Sequence, residues 1–474
     1  MAIVLSISYN RTFRIFTASM IALLLIPTLV QDGMFLDGIT YSTISRNMAN
    51  GIGSFWHPHY TETLYPHFNE HPPLIFIIQT FFFKFLGDSF VTERLFCLVI
   101  SILNVIGISK CWRLIHKQTE YEVIEWLPVF LMFTVPLVSW SYKNNLLENT
   151  LSCFTIFAIF FILKSILEQR LVYLIFASAF IDLAFLSKGF VGIFPFAFPI
   201  FYALIFKEWR NSIYTFLYLV IFTFLFLMLL LILFPDLKTN LTNYFNEQLL
   251  PALKNKREIT TGNRFSIIGK LFTEIAFPIL ALILFSLLQR KNNFKVDLNI
   301  YRKSLLFLST AFSASCPLII SLKQRNFYLI PSIPFFVLAI SIIIVPILKI
   351  YLEKINFGHL KIVRFTSFAI CAIVLAFSII NFGKPSRDHA KLEDIYRISA
   401  SIPKGTILAA TKDLCYDWSL IAYLYRIGYL SLDCTNDHDY ILSEIHNHDT
   451  LAPQGYEYLD LELIKYRLLK RVQF

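Results

Sequence analysis

Charge is scarce in this sequence. Asp, Glu, Lys and Arg make up 16% of its 474 residues, against about a quarter in soluble chains. In contrast, 56% of the residues are hydrophobic, 49 are Phe and the mean hydropathy is +0.61. A soluble domain could not hide so much apolar side chain, so the chain reads as a polytopic integral membrane protein. Acids are nearly missing from the apolar runs, where Asp182 is the one that stands out, close to a run's end. A transporter of lipid-linked glycans would place charges at span centres or show paired repeats, and no internal repeat or low-complexity segment is evident. A cleavable signal is also missing, because no small-residue cleavage site follows the first apolar run, about 13–30, which reads as an anchoring span. Cysteine is sparse at 7 residues. Five of them (Cys97, Cys111, Cys153, Cys316, Cys371) lie in or beside apolar segments as small hydrophobes, while Cys415 and Cys434 sit in polar surroundings, where an oxidising compartment would let them pair.

What is present is a succession of about eleven spans, near 13–30, 91–109, 126–141, 146–164, 171–187, 190–206, 213–234, 267–288, 304–321, 327–349 and 363–382. The net charge of +10 follows from basic loops and does not call for nucleic acid. "KCWRLIHK" (110–117), "KSILEQR" (164–170), "KEWR" (207–210), "QRKNNFK" (289–295) and "LKIYLEKINFGHLK" (348–361) fall on one side, the cytoplasmic one. The alternation works only if 72–86 does not cross. That stretch, "PPLIFIIQTFFFKFL", is too short for a span and reads as an interfacial helix on the outer face, with Lys84 able to snorkel toward the headgroups. The same alternation puts loops 31–90 and 235–265 and the tail outside. The tail changes abruptly to mixed polar and charged composition and reads as a small α/β domain, giving two domains, 1–382 and 383–474.

Loop 31–71 gathers Asp32, Asp37, Arg46, Glu62 and Glu70. Asp37, Tyr41 and Ile44 have helical spacing. An acid just after a span can meet a lipid headgroup and an acceptor together, and a helix cap fits the same residue.

"FLDGITYSTISRNMANGIGSFWHPHY" followed by "FNEHPPLIFIIQTFFFKFLGDSFVTERL", with "LSKGFVGIFPF" (186–196) and "KQRNFYLIPSIP" (323–334), resembles the GT-C superfamily of lipid-linked-sugar glycosyltransferases, of the protein O-mannosyltransferase and aminoarabinose (lipid A) transferase type. The ordered set spans almost the whole membrane part. The resemblance implies that Asp37 is the catalytic acid of the first outer loop, with Gly38 in place of the usual neighbouring Glu, and it also marks Arg46. It places His71, Lys188, Tyr328 and the basic run "KNKREITTGNR" (Lys254, Lys256, Arg257, Arg264) toward a donor phosphate. Glu70 matches a residue linked in some members to a bound cation, and "NEQLLP" with Glu247 matches a Glu-His stretch. Gln248 stands there in place of the His, a poorer ligand for a transition metal, so a divalent cation is not required by this set.

The implied reaction moves one sugar from a polyprenyl-phosphate donor to a protein, lipid A or glycan acceptor on the extracytoplasmic face of a bacterial inner membrane. Cations and hydrogen-bond donors must wait at the leaving phosphate. A carboxylate takes the acceptor's proton, which predicts inversion. No nucleotide is needed. An O-antigen ligase or polymerase, or a lipid-linked glycan transporter, would share the membrane setting and the lipid.

Overall fold

The computed structural model describes residues 2–254, 256, 258–292, 294–445 and 452–472, without side chains at 2–8 and 253. It is mostly helical, with one sheet in the C-terminal part. By packing, the chain falls into two compact units: Met1–Pro27, Glu70–Ile75 and Cys97–Ile380, and Thr28–Asn69, Phe76–Phe96 and Asn381–Phe474.

Among the described residues, eight helices are long and apolar enough to cross a bilayer, and two bent pairs bring the number to ten. A helix satisfies its own backbone groups where no water can, which is why apolar runs take this form. Two of the eleven expected spans are broken. Glu122–Phe133 and Pro136–Tyr142 meet at 85°, with Pro136 in the first turn of the second helix and Val135 extended before it. Ser266–Glu274 and Ala276–Lys291 meet at 62°. Two other expected spans form one apolar stretch, Val172–Phe206, but the chain doubles back within it. The helix Val172–Lys188 ends at Gly189, whose φ is +72°, and the tight turn Gly189–Phe196 folds against it so closely that a Cβ on Gly192 would lie 2.6 Å from the backbone of Ala184. Contact eight residues back requires reversal, since one straight helix would hold those positions roughly 12 Å apart.

Leu74–Leu86 is a helix of 13 residues, roughly 20 Å long against a hydrocarbon core of about 30 Å. It cannot cross on its own.

In the second unit the helix Leu36–Ala49 is buried from Gly38 to Met48. The tail carries a mixed five-stranded sheet of β1 (Ile407–Ala410), β2 (Ser431–Asp433), β3 (Tyr440–Glu444), β4 (Tyr456–Tyr458) and β5 (Tyr466–Arg471) in the order β2-β1-β3-β5-β4. β1 pairs in parallel with β2 and β3, and the rest is antiparallel. The crossover from β1 to β2 is the helix Trp418–Gly428, whose Leu420 and Leu424 join Leu392, Ile395 and Ile398 of the helix His389–Ser401, and Leu408, Leu442 and Leu468 of the sheet, in one core. Cys415 and Cys434 form a disulfide across this crossover, with Cα atoms 6.5 Å apart. Buried Asp394 accepts from the backbone N–H groups of Ile464, Lys465 and Tyr466 at 2.7–2.9 Å, which pins the entry to β5 on the helix.

Candidate active site

A cavity of about 470 Å³ in the first unit brings together Glu70, Glu148, Lys188, Gln248, Lys323 and Tyr328. Its remaining wall is largely apolar, with Leu151, Phe190, Phe194, Leu249, Leu318 and Ile320. Lys188 is the last residue of its helix, where a cation meets the negative end of the helix dipole. Its ammonium is ion-paired with the carboxylate of buried Glu148 and lies 4.6 Å from the centre of the Tyr328 ring. Gly189 is required beside it. Its φ of +72° suits glycine, and a Cβ there would run into the hydroxyl of Tyr244. That hydroxyl donates to the carbonyl of Lys188 at 3.4 Å, so the Lys-Gly turn is held by the helix Pro235–Tyr244.

The segment 323–328 borders this cavity and is fixed by one side chain. Gln324 is buried. Its Oε1 accepts from Ser266 Oγ at 2.7 Å and Ile267 N at 3.1 Å. Its Nε2 donates to the carbonyls of Arg264, Ser321 and Leu318 at 2.6, 3.0 and 3.2 Å. With Gln324 bonded on both ends, Lys323 and Tyr328 are set on the cavity from either side of it.

Asp37 belongs to the second unit. It is half-buried in the first turn of the helix Leu36–Ala49, where the N-cap position is Phe35, so Asp37 is not the cap. A carboxylate in the first turn still faces the positive end of the helix. Buried Tyr60 accepts from Thr40 Oγ1 at 3.2 Å, and its phenol is pushed up in pKa chiefly by burial, with the charge of Asp37 adding to it. Arg46, on the same helix, is completely buried. It donates to the carbonyl of Tyr425 at 2.7 Å and lies 3.6 Å from the Tyr429 ring centre. Burial lowers its pKa, with the charge of Arg426 acting in the same sense. Its Nε and one Nη have no hydrogen-bond partner; the aromatic face and a carboxylate oxygen of Asp88, 3.8 Å from that Nη, stand against their charge. Arg46 therefore ties the Asp37 helix to the helix Trp418–Gly428.

Of the other expected site residues, Glu70 lines the cavity, and His71 follows it in the chain, half-buried. Glu247 is exposed on a π-turn, Phe245–Leu249, next to Gln248. Arg264 donates to the carbonyl of Ile320 at 2.6 Å. Arg257 lies outside the described residues. Glu148 was not expected at all. It opens the helix Leu147–Glu168 in "NNLLENTL", and together with Glu93 in Phe90–Ile115 it corrects the expectation that Asp182 is nearly alone as an acid within the spans. An acid at the head of an apolar run was the available signal. Among the described residues no three His, Cys, Asp or Glu side chains converge as a metal centre. Glu70 and Gln248 offer oxygen donors only, a set suited to a hard cation that completes its shell with phosphate oxygens and water.

Residues 70–234 match the family of dolichyl-phosphate-mannose-protein mannosyltransferases. No curated protein matches the chain as a whole sequence. Among solved structures, the chain is similar to ArnT from Cupriavidus metallidurans bound to undecaprenyl phosphate, at 14% identity over 96% of this chain and 97% of that one, with a TM-score of 0.65. It is also similar to the archaeal oligosaccharyltransferase AglB from Archaeoglobus fulgidus in complex with an inhibitory peptide and a dolichol-phosphate, at 10% identity over 90% and 69% of the two chains, with a TM-score of 0.54. At these identities the likeness is one of fold. Residues 70–234 thus match a mannosyltransferase family, and the chain as a whole shares the fold of ArnT.

Proposed function

We propose that the protein transfers one sugar from a polyprenyl-phosphate donor to an acceptor on the extracytoplasmic face of a bacterial inner membrane. The observation that carries this reading is the cavity: two lysines, two carboxylates, a glutamine and two tyrosines are set in a largely apolar wall, which matches an amphiphile with a phosphate head and a prenyl tail. ArnT, whose fold the chain shares, is bound to undecaprenyl phosphate.

The acceptor oxygen attacks the anomeric carbon as the bond from that carbon to the phosphate oxygen breaks. The electron pair leaves with the phosphate, and the acceptor's proton passes to Asp37. A single displacement inverts the anomeric centre. His71, Lys188 and Tyr328 meet the charge growing on the phosphate, with the basic run at Arg257 and Arg264 in support. Preorganised donors of this kind are worth several kcal/mol away from bulk water. Glu148 holds Lys188 in place. Glu247 shapes the rim next to Gln248, and Glu70 is the ligand for a divalent cation if one takes part. The acceptor class is a protein, lipid A or a glycan.

Asp37→Asn tests the mechanism, since the change keeps the side chain's size and removes its basicity. With a polyprenyl-phosphate-linked sugar and a hydroxyl acceptor, kcat should fall by about 10²–10⁴-fold while folding stays normal. Near-normal turnover in a well-folded variant would remove the base. Sidedness is tested separately: a reporter fused after residue 118 should be cytoplasmic, and one after residue 383 extracytoplasmic.

A further inference from the structure

The two broken spans of the first unit border a further cavity of about 440 Å³. One wall comes from residues 126–131 of the pair bent at 85°, and another from residues 277–285 of the pair bent at 62°. Phe13 and Phe16 of the helix Ala2–Leu29, with Ile344 and Leu348 of the helix Ile333–Glu353, complete it. It shares no lining residue with the cavity that holds Lys188. Every lining side chain is apolar but for the Trp126 N–H, which is bonded to Asn10 Oδ1 at 3.2 Å. Water gains nothing in such a space: even a ~150 Å³ apolar cavity stays dry and takes up an apolar guest. Leu280 and Leu284 on its wall are exposed at 62% and 55%, so the cavity opens sideways as a groove.

Charge gathers at one end of it. Phe13 stacks on Trp126 with ring centres 4.7 Å apart, and the residues beside them in the chain, Arg14 and Glu125, are ion-paired at 2.8 Å. Arg113 binds the same carboxylate, also at 2.8 Å. Glu125 is buried, whereas both guanidinium groups are exposed. Arg11, one turn before Arg14 on the same helix, is exposed as well. Lys349, next to Leu348, is taken by Glu120 at 2.6 Å and Glu353 at 3.1 Å. The surplus of positive charge therefore sits with the arginines, where three guanidinium groups stand against one carboxylate.

We infer that this groove binds one anionic phospholipid, with its phosphate on Arg14 and Arg113 and an acyl chain lying between the two broken spans. The occupant has to be apolar along the groove and anionic at one end. Phosphatidylglycerol meets both demands, while a zwitterionic head would bring its own cation to the arginines. Arg113 belongs to "KCWRLIHK", which places the lipid in the leaflet that faces the basic loops. A mid-span bend leaves a gap that neighbouring side chains do not fill, and the acyl chain restores close packing there.

The test strips the full-length protein of lipid in a mild detergent and titrates it with dioleoyl phosphatidylglycerol or dioleoyl phosphatidylcholine under native mass spectrometry. One phosphatidylglycerol should bind about fivefold more tightly than phosphatidylcholine, the scale of one basic residue near an anionic head. Arg113→Gln should remove most of that preference, and it leaves Glu125 paired with Arg14, so the fold stands. Ala281→Phe fills the groove and should weaken both lipids by about tenfold. Leu375→Phe, on the exposed face of the helix Phe357–Asn381, should change neither. Equal affinity for the two lipids, a preference that Arg113→Gln leaves intact, wild-type binding by a folded Ala281→Phe, or a dimer in place of the lipid adduct would each overturn the inference. Undecaprenyl phosphate is added as a competitor. It should leave the phosphatidylglycerol adduct in place, since the donor reading sends it to the other cavity, and displacement would give this groove to the donor's tail instead.

Discussion

Two of the polar cavities, one in each unit, treat charge in opposite ways. In the first unit Lys188 and Glu148 form a pair in the wall of a 470 Å³ space whose other surfaces are mainly apolar. In the second unit a space of about 210 Å³ is lined by Asp32, Asp88, Glu93, Tyr396, Lys404, Tyr423 and Arg426, and apart from Lys404, which lies over the Tyr429 ring, these groups bond to one another or to the backbone beside them. Arg426 binds Asp88 at 2.6 Å and Glu93 at 3.0 Å, Asp32 takes the Tyr396 hydroxyl, and Tyr423 donates to the Met34 carbonyl at 3.1 Å. Burial works against the charge on Arg426, but its two carboxylates outweigh that and raise its pKa. The difference teaches how to read a polar cavity. Sparse charge in an apolar wall leaves room for an amphiphile's head and tail, whereas charge matched group for group is internal structure.

The sharpest way to break this comparison is Arg426→Ala. Removing one member of a buried ionic cluster strands the others, so stability should fall by about 3–5 kcal/mol, seen as a large drop in thermal midpoint with donor KM little changed in the fraction that stays folded. A variant of normal stability and impaired donor binding would exchange the roles of the two cavities. In the first cavity, Lys188→Met alone also strands a carboxylate. The double change Lys188→Met with Glu148→Gln removes the charge pair together and should recover most of the stability while transfer stays at least about tenfold down. Recovery of transfer with stability would make the pair architectural. Tyr328→Phe should raise the donor KM by the equivalent of about 1–3 kcal/mol, the range for a hydrogen bond to a charged group, and leave the midpoint unmoved; unchanged donor kinetics would exclude Tyr328 from the phosphate site.

The smallest effect is on pH. Asp433 is held below the usual carboxylate range by Thr435, His438 and Asn436. Asp417 is also lowered, the bonds from Lys391, Ser419 and Leu420 N outweighing its burial. A depressed folded pKa stabilises above the unfolded value of about 3.9 and is lost as pH falls through the folded value. The tail should therefore loosen below about pH 4, which tryptophan emission from Trp418 would follow, and a tail whose stability rises on acidification would contradict the assignment.

How much of this was legible depended on distance along the chain. The Lys-Gly turn and "KQRNFY" could be singled out because each is a short run, and the structure sets Lys188, Lys323 and Tyr328 on one cavity. Span existence followed from apolar length, but the 85° and 62° breaks did not, since a mid-span bend leaves hydropathy unchanged. Glu148 escaped because its meaning lies in Lys188, 40 residues away, while locally it looks like an acid at a helix start. The packing of 28–69 and 76–96 with the tail was beyond any window of sequence: Arg46 with Tyr425 and Glu93 with Arg426 are pairs separated by more than 300 residues.

That separation sets a timetable. Roughly 300 residues of chain lie between Phe96 and Asn381, so a ribosome adding about 5–20 residues per second needs on the order of half a minute to deliver the second half of this core. During that interval the nascent Asp37 helix is already outside the ribosome, while the tyrosines that will cover Arg46 and the guanidinium that will neutralise Glu93 have not been made. Assembly of this unit is thus a late event that waits for the segment from Asn381 onward, and a chain that stops before it would carry the spans up to Asn381 with half of this core missing.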